Sequence, residues 1–313
     1  MTEDEIGRGR AVARGVVGWL VLGVGIGVAI GVAEAAGRWW SLGAATVMVL
    51  QAVFTSALVV PAIVLLRTRV DRRPLVGLGL GRPVTGPVAL GLGVGLGAGA
   101  LVWVPAWLAG WVEVGEVDLG ALGGFLLLNT VVLLLFEAFP EELALRGYVW
   151  STVRDGWQVA AATLITTALF PFTAAVIGAA RWAVGTLLGS APDDLTLFPD
   201  GSDPVAYVVQ LVVFGLVLVA ARRTPVRGAL LVAVAFHLAQ LTVNRLVLGG
   251  TGWLPTGVDV DLAHPDVILL VLVHLAVSGL VFVLVRRRIE RATDAGPSGI
   301  PSSAGPAAGG SGR

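Results

Sequence analysis

The chain of 313 residues has no cysteine and no lysine, only three histidines and two tyrosines, and 13% charged residues. Without cysteine it can form no disulfide, thiolate nucleophile or thiolate metal site, and the redox compartment leaves no mark. Arginine carries every one of the 21 basic charges, and 21 acidic residues balance them. A net charge of zero gives no electrostatic basis for a nucleic-acid partner. What the chain has in quantity is apolar: 56% hydrophobic residues, 43 glycines and a mean hydropathy of +0.87. Those values lie far outside an ordinary soluble domain and predict an integral membrane protein. The bias to Arg, Ala, Gly and Val points to a GC-rich bacterial genome, and so to a multi-pass protein of the cell (inner or plasma) membrane.

A bilayer core takes about 20 apolar residues per helical span. Eight runs meet that need: 11–33, 42–66, 86–109, 119–139, 158–188, 205–221, 228–248 and 267–285. The fifth contains Pro171 and Arg181, so it is expected to break into a span plus a re-entrant or interfacial piece, "GAARWAVG". The first reads as a span and not a signal peptide, since no small-residue cleavage site leads into a soluble domain. Arginines gather in alternate loops: Arg8, Arg10 and Arg14; Arg67 to Arg82; Arg222, Arg223 and Arg227; Arg286 to Arg291. The intervening loops "EVGEVD", "APDDLTLFPDGSDP" and "DVDLAHPD" are acidic. The positive-inside rule then predicts an all-α, polytopic membrane helical bundle of about eight transmembrane helices with both termini cytoplasmic. Glycine runs such as "GVGIGVAIG" and "GLGVGLGAGALVW" carry small-xxx-small spacing and predict close helix packing, not a nucleotide loop.

Ionisable groups are costly in hydrocarbon, so those that remain tend to be paired or functional. The stretch "FPEELALRGYVW" places Glu141, Glu142 and Arg146 at the end of the apolar run "LLLNTVVLLLF". Glu142 and Arg146 are helical i,i+4 neighbours in the favourable order, and are expected to form a structural ion pair. Glu137 and Glu141 share another face. Glu141 then lacks a partner; such a carboxylate either takes up a proton or borders water, and both conditions suit a general base. In "RGALLVAVAFHLAQLTVNRL", His237, Gln240 and Asn244 fall near one helical face. On an unbroken α-helical rise, His237 lies roughly 15 Å from Arg227 and Glu141 about 20 Å from Arg154, a similar depth. His274 lacks polar neighbours and is read as packing; His264, before Pro265, as loop.

The E-E-x-x-x-R element followed by a later membrane histidine resembles the CPBP family: type II CAAX prenyl proteases and bacteriocin-processing or immunity membrane proteins. The resemblance covers roughly residues 119–250. It implies intramembrane peptide hydrolysis of a membrane-associated peptide or protein, with Glu141 activating water and His237 and a nearby amide stabilising the oxyanion. Metal involvement is left open by the resemblance. Two departures stand out. The family's F-x-x-x-H element falls in "LFPFTAAVIG", where Phe170 is present but Ala174 occupies the histidine's place, leaving Thr173 or a water to substitute. Its H-x-x-x-N element has Leu241 at the fourth position after His237, with Gln240 one place earlier and Asn244 three places later. The expected site is therefore Glu141, His237, Gln240 and Asn244, supported by Glu142 and Arg146, with no cofactor and no tightly held metal, a divalent ion being the less favoured alternative. The expected organisation is a cytoplasmic segment 1–10, N-terminal spans 11–118, a CPBP-like core 119–250, an outer loop and last span 251–288, and a disordered cytoplasmic tail 289–313. Three functions stay open: a divergent endopeptidase, a lapsed homologue that binds a peptide or protein in an immunity or scaffold role, and a small proton-coupled transporter.

Overall fold

The computed structural model describes residues 3–190, 195, 198, 203–250 and 254–294, with side chains from Gly7 onward. The tail expected to be disordered lies outside them from residue 295, as does most of the acidic loop 190–204. Nine helical segments follow in order: α1 (Glu3–Trp39), α2 (Ala44–Val70), α3 (Thr85–Leu108), α4 (Leu119–Gly156), α5 (Val159–Leu169), α6 (Thr173–Leu187), α7 (Pro204–Arg222), α8 (Ala229–Val247) and α9 (Pro265–Asp294). Among the described residues seven are long and apolar enough to cross a membrane alone, and α5 with α6 is a pair bent by 41°, a broken span or a re-entrant loop, which brings the number to eight if it crosses as one. The protein is an all-α polytopic bundle. The bend falls at Pro171, whose missing N–H and ring break the helix where the sequence predicts.

Two boundaries differ from expectation. The run 119–139 does not end before the acidic motif; α4 continues through Glu141 and Arg146 to Gly156. It does so by changing register: π-helical turns span Leu134–Ala138 and Leu143–Val149. The first has an identifiable cause. Phe139 donates to the Leu134 carbonyl, so the next bond in that register would need an N–H from Pro140, which has none. The orphaned Leu135 carbonyl instead accepts from Ser56 Oγ of α2 at 2.5 Å. A neighbouring helix thereby satisfies a backbone group that lipid could not. Depths counted along an unbroken α-helix do not hold across this segment.

The second difference is a small antiparallel sheet of β1 (Val112–Val117) and β2 (Val258–Leu262), with Val114 opposite Val260 and Glu113 opposite Asp261. It joins two of the acidic loops at one end of the bundle. The carbonyl of Gly257, a residue at φ 73°, accepts from Asp118 N–H at 2.8 Å, and the Asp118 side chain in turn caps α4 by accepting from Gly120 and Ala121 N–H. At the opposite end the arginine-bearing segments meet: Arg14 pairs with Asp71 at 3.3 Å, Arg73 with Asp155, and Arg222 lies over the Trp150 ring. Acidic and basic loops thus segregate to opposite ends, as alternation along the chain requires.

The glycine runs are contact surfaces. Gly27 on α1 lies so close to α6 that a Cβ there would sit 2.5 Å from the Ile177 carbonyl oxygen; Gly91 on α3 would meet the Val232 carbonyl of α8 at 2.3 Å. Both obstacles are backbone and cannot rotate away. Gly93, one helical face away, has nothing within 4 Å. Gly91→Leu is therefore expected to lower folded yield and the melting temperature in detergent sharply, since overpacking costs about 1–3 kcal/mol even where side chains can shift, whereas Gly93→Leu leaves both near the parent's. Equal behaviour of the two would contradict the packing assigned to α3 and α8.

Candidate active site

Glu142 is fully buried in the middle of the bundle, and one of its oxygens, Oε1, is shared: Arg146 Nη1 lies at 3.0 Å and His237 Nδ1 at 3.0 Å. The i,i+4 pair is present as its spacing predicts. The bond to His237 is not visible in the sequence. Arg146, also with no exposed surface, spreads its guanidinium over the Phe170 ring at 4.4 Å, a cation–π contact that is strengthened by desolvation. Gly215 of α7 packs beside it: a Cβ there would lie 3.2 Å from the Thr167 methyl and 3.4 Å from Arg146 Nη2. Phe170, the aromatic that opens the expected second motif, therefore serves the ion pair. The His237 ring is wedged from the other side by Phe214 at 4.9 Å, edge to face.

Beside this cluster lies a cavity of about 380 Å³, walled by α1, α4, α5, α6, α7, α8 and α9. Glu141, His237 and Gln240 all line it, and so does Ala174. The structure thus brings together the carboxylate left without an i+4 partner, the membrane histidine and the near amide, with the position of the absent imidazole on the same wall. Asn244 is buried on the same helix as His237 but is not among the lining residues; its Oδ1, like Gln240 Oε1, has no hydrogen-bond partner among the described residues. Thr173 also borders the cavity, yet its hydroxyl accepts from Trp19 Nε1 at 3.0 Å and faces the Leu169 carbonyl at 3.4 Å. That hydroxyl is thus already engaged in contacts within the bundle.

A second polar group was not anticipated. Arg245 Nη2 pairs with Glu137 Oε1 at 2.9 Å and its Nη1 reaches Asn129 Oδ1 at 2.8 Å, while Asn129 Nδ2 donates to Thr242 Oγ1 at 3.1 Å. This ties α4 to α8 above the cavity and removes Glu137 from the free carboxylates that line it. The signal was available: Arg245 and Asn129 are polar residues inside apolar runs, and such residues seek each other. His274 Nε2 donates to the Gly95 carbonyl of α3 at 2.9 Å, a contact between helices.

A metal needs a donor set. Among the described residues no three His, Asp or Glu side chains are grouped to hold one. Of the cavity donors, Glu137 is held by Arg245, His237 Nδ1 by Glu142, and Ala174 offers none. Structural and catalytic zinc sites take three or more protein ligands, and this arrangement does not supply them.

Residues 123–243 match the family model described as type II CAAX prenyl endopeptidase, Rce1-like. That interval holds Glu141, Glu142, Arg146, Phe170, His237 and Gln240, the residues around the cavity. Through this segment, less than half of its length, the chain is similar to that family, in line with the resemblance of its E-E-x-x-x-R element. No curated protein and no solved structure gives a significant match. A multi-pass helical bundle therefore places the charged and amide residues of the matched segment around one largely apolar cavity.

The shared oxygen of Glu142 makes a stability prediction. Removing one member of a buried pair leaves an uncompensated charge, a loss of about 3–5 kcal/mol. Arg146→Ala and Glu142→Ala are each expected to reduce membrane abundance and thermal stability in detergent, with the double variant recovering part of the loss of Arg146→Ala alone. Parent-like stability of Arg146→Ala would remove the pair's structural role.

Proposed function

We propose that this protein is a divergent intramembrane endopeptidase that hydrolyses a peptide bond of a membrane-associated peptide or protein with water activated by Glu141. The observation that carries the reading is the convergence of Glu141, His237 and Gln240 on one cavity between membrane helices. In the reaction, the Glu141 carboxylate takes a proton from water as the oxygen attacks the scissile carbonyl. The tetrahedral oxyanion is met by the Gln240 amide N–H and by His237. The Glu141 carboxylic acid then returns its proton to the leaving nitrogen as the C–N bond breaks. Each of these contributions is typically worth two or more orders of magnitude.

His237 can donate to an oxyanion only through Nε2, since Nδ1 is engaged by Glu142. That requires either a doubly protonated ring beside a Glu142 carboxylate, or a protonated Glu142 donating to Nδ1. Glu142 is thus a positioning residue for the His237 ring. Asn244, displaced along the helix, is assigned a supporting place behind Gln240 and not direct contact with the carbonyl.

The competing reading is a homologue that binds a membrane peptide without cleaving it, and Ala174 favours it, because a methyl group replaces the family imidazole on the chamber wall. Purified protein incubated with a membrane-peptide library separates the two. Cleavage is expected to be slow, to fall at least about a hundredfold in Glu141→Gln, and to rise in Ala174→His. Binding with no cleavage in either the parent or Ala174→His selects the lapsed reading; cleavage that survives Glu141→Gln excludes the mechanism.

The opposed charge of the two bundle ends supports the arginine-rich end, with both termini, facing the cytoplasm of a cell with this protein in its plasma membrane. Reporter fusions after residue 78 and after residue 290 are expected to read cytoplasmic, and a fusion at residue 115 on β1 external. The reverse pattern would invert the access route to the chamber.

A further inference from the structure

At the arginine-rich end, away from the catalytic chamber, a second cavity of about 510 Å³ opens between the start of α1, the segment after α2 and the end of α4. Arg8, Arg10 and Arg14 of α1 line it with Arg73, facing Asp71 and Asp155. Each carboxylate has an arginine in ion-pair range, Asp71 with Arg14 at 3.3 Å and Asp155 with Arg73, although neither Asp71 oxygen has a hydrogen-bond partner among the described residues. Arg8 and Arg10 are left with no carboxylate partner among the described residues; Arg8 rests over the Trp157 ring at 5.8 Å, which fixes the guanidinium at the rim. The cleft therefore carries an excess of two positive charges.

A second, independent observation lies at its floor. Thr152 is 5% exposed, lines the cleft, and its Oγ1 has no hydrogen-bond partner among the described residues. A buried hydroxyl without a partner costs about 1–3 kcal/mol, so a donor aimed into a basic cleft calls for an acceptor. The floor is also tight: Gly156 and Ala11 approach so closely that a Cβ on Gly156 would lie 2.7 Å from the alanine methyl, which brings α1 against α4 at the cleft. A ligand with several acceptor oxygens and at least one negative charge satisfies Arg8, Arg10 and Thr152 together.

We propose that this cleft binds a phosphate group, the headgroup of an anionic phospholipid or a free phosphate, through Arg8, Arg10 and the Thr152 hydroxyl. Basic pockets between helices near a membrane surface are suited to such headgroups. The lipid source fits the position, where the apolar run of α1 begins three residues after Arg8.

Native mass spectrometry of the full chain in neutral detergent tests it, with short-chain phosphatidylglycerol, short-chain phosphatidylcholine and inorganic phosphate as separate probes. Phosphatidylglycerol is expected to bind in preference to phosphatidylcholine, and to lose about fivefold in affinity per arginine removed in Arg8→Gln/Arg10→Gln. Thr152→Val, which keeps shape and removes the hydroxyl, is expected to weaken binding severalfold, while Arg72→Gln on the same end leaves it unchanged. Inorganic phosphate binding with the same variant dependence but no lipid preference would keep the site and assign the free ion as its source. Equal binding of the two lipids with no phosphate binding, an unaffected Thr152→Val, or equal losses from Arg72→Gln would each overturn the proposal, the last by showing only a diffuse surface field. Circular dichroism melting of every variant confirms that a loss of binding is not a loss of fold.

Discussion

A single carboxylate oxygen, Glu142 Oε1, is held at 3.0 Å by both Arg146 and His237, with Glu142 and Arg146 fully buried and His237 nearly so. In lipid, apolar contact between helices gains little over apolar contact with acyl chains, so association rests on close packing and on polar contacts of this kind. The Glu142 cluster fixes three separate parts of the bundle at once. It anchors α8 to α4 through His237, it draws Phe170 at the α5–α6 bend under the guanidinium, and it packs beside Gly215 of α7. The second tie between α4 and α8, Arg245 to Glu137 and Asn129, sets the upper limit of the chamber in the same way. What lies between these two ties is the cavity, and Glu141 is the acidic residue of α4 that lines it without an ion-pair partner among the described residues.

The sequence made some of this readable and hid the rest for physical reasons. Span number, the break at Pro171 and the Glu142–Arg146 pair follow from hydropathy and helical spacing, both local properties. Small-xxx-small runs predicted close contacts, and Gly27 and Gly91 show them against the backbone of α6 and α8. Partner choice across helices is not local. His237 matches Glu141 and Glu142 equally well by depth, and only the π-helical turns of α4, which alter the facing of every residue after Leu134, decide that Glu142 is the one it meets. Those turns were themselves partly legible, because Pro140 inside an apolar run must orphan a carbonyl. The strand pairing of residues 112–117 with 258–262 was concealed by acidic residues that read as loop, and its like-charged pair Glu113 and Asp261 would discourage any such expectation.

The replacement of the family histidine by Ala174 has a chemical consequence that the geometry sharpens. Activation of water by a carboxylate is helped when a second group orients the water and shares the proton. Here the opposite wall carries a methyl group, and the neighbouring hydroxyl of Thr173 is engaged by Trp19. Under the proposed hydrolysis Glu141 would then act with little assistance from neighbouring side chains. On that proposal a slow hydrolase and a peptide-binding protein differ only in how well a water is held in front of Glu141.

Glu142 also explains why the chamber tolerates such a loss without collapsing. If the family imidazole had served to hold the helices together, its removal would have left an unpaired acidic group at the interface, with the cost that an uncompensated buried charge carries. Instead the structural polar contacts run through Glu142, Arg146, Phe170 and Gly215 on one side and through Arg245 and Asn129 on the other, and position 174 belongs to neither set. A substitution at position 174 therefore alters the wall of the cavity while leaving in place the contacts that build it, whereas Phe170 lies under the Arg146 guanidinium and belongs to those contacts.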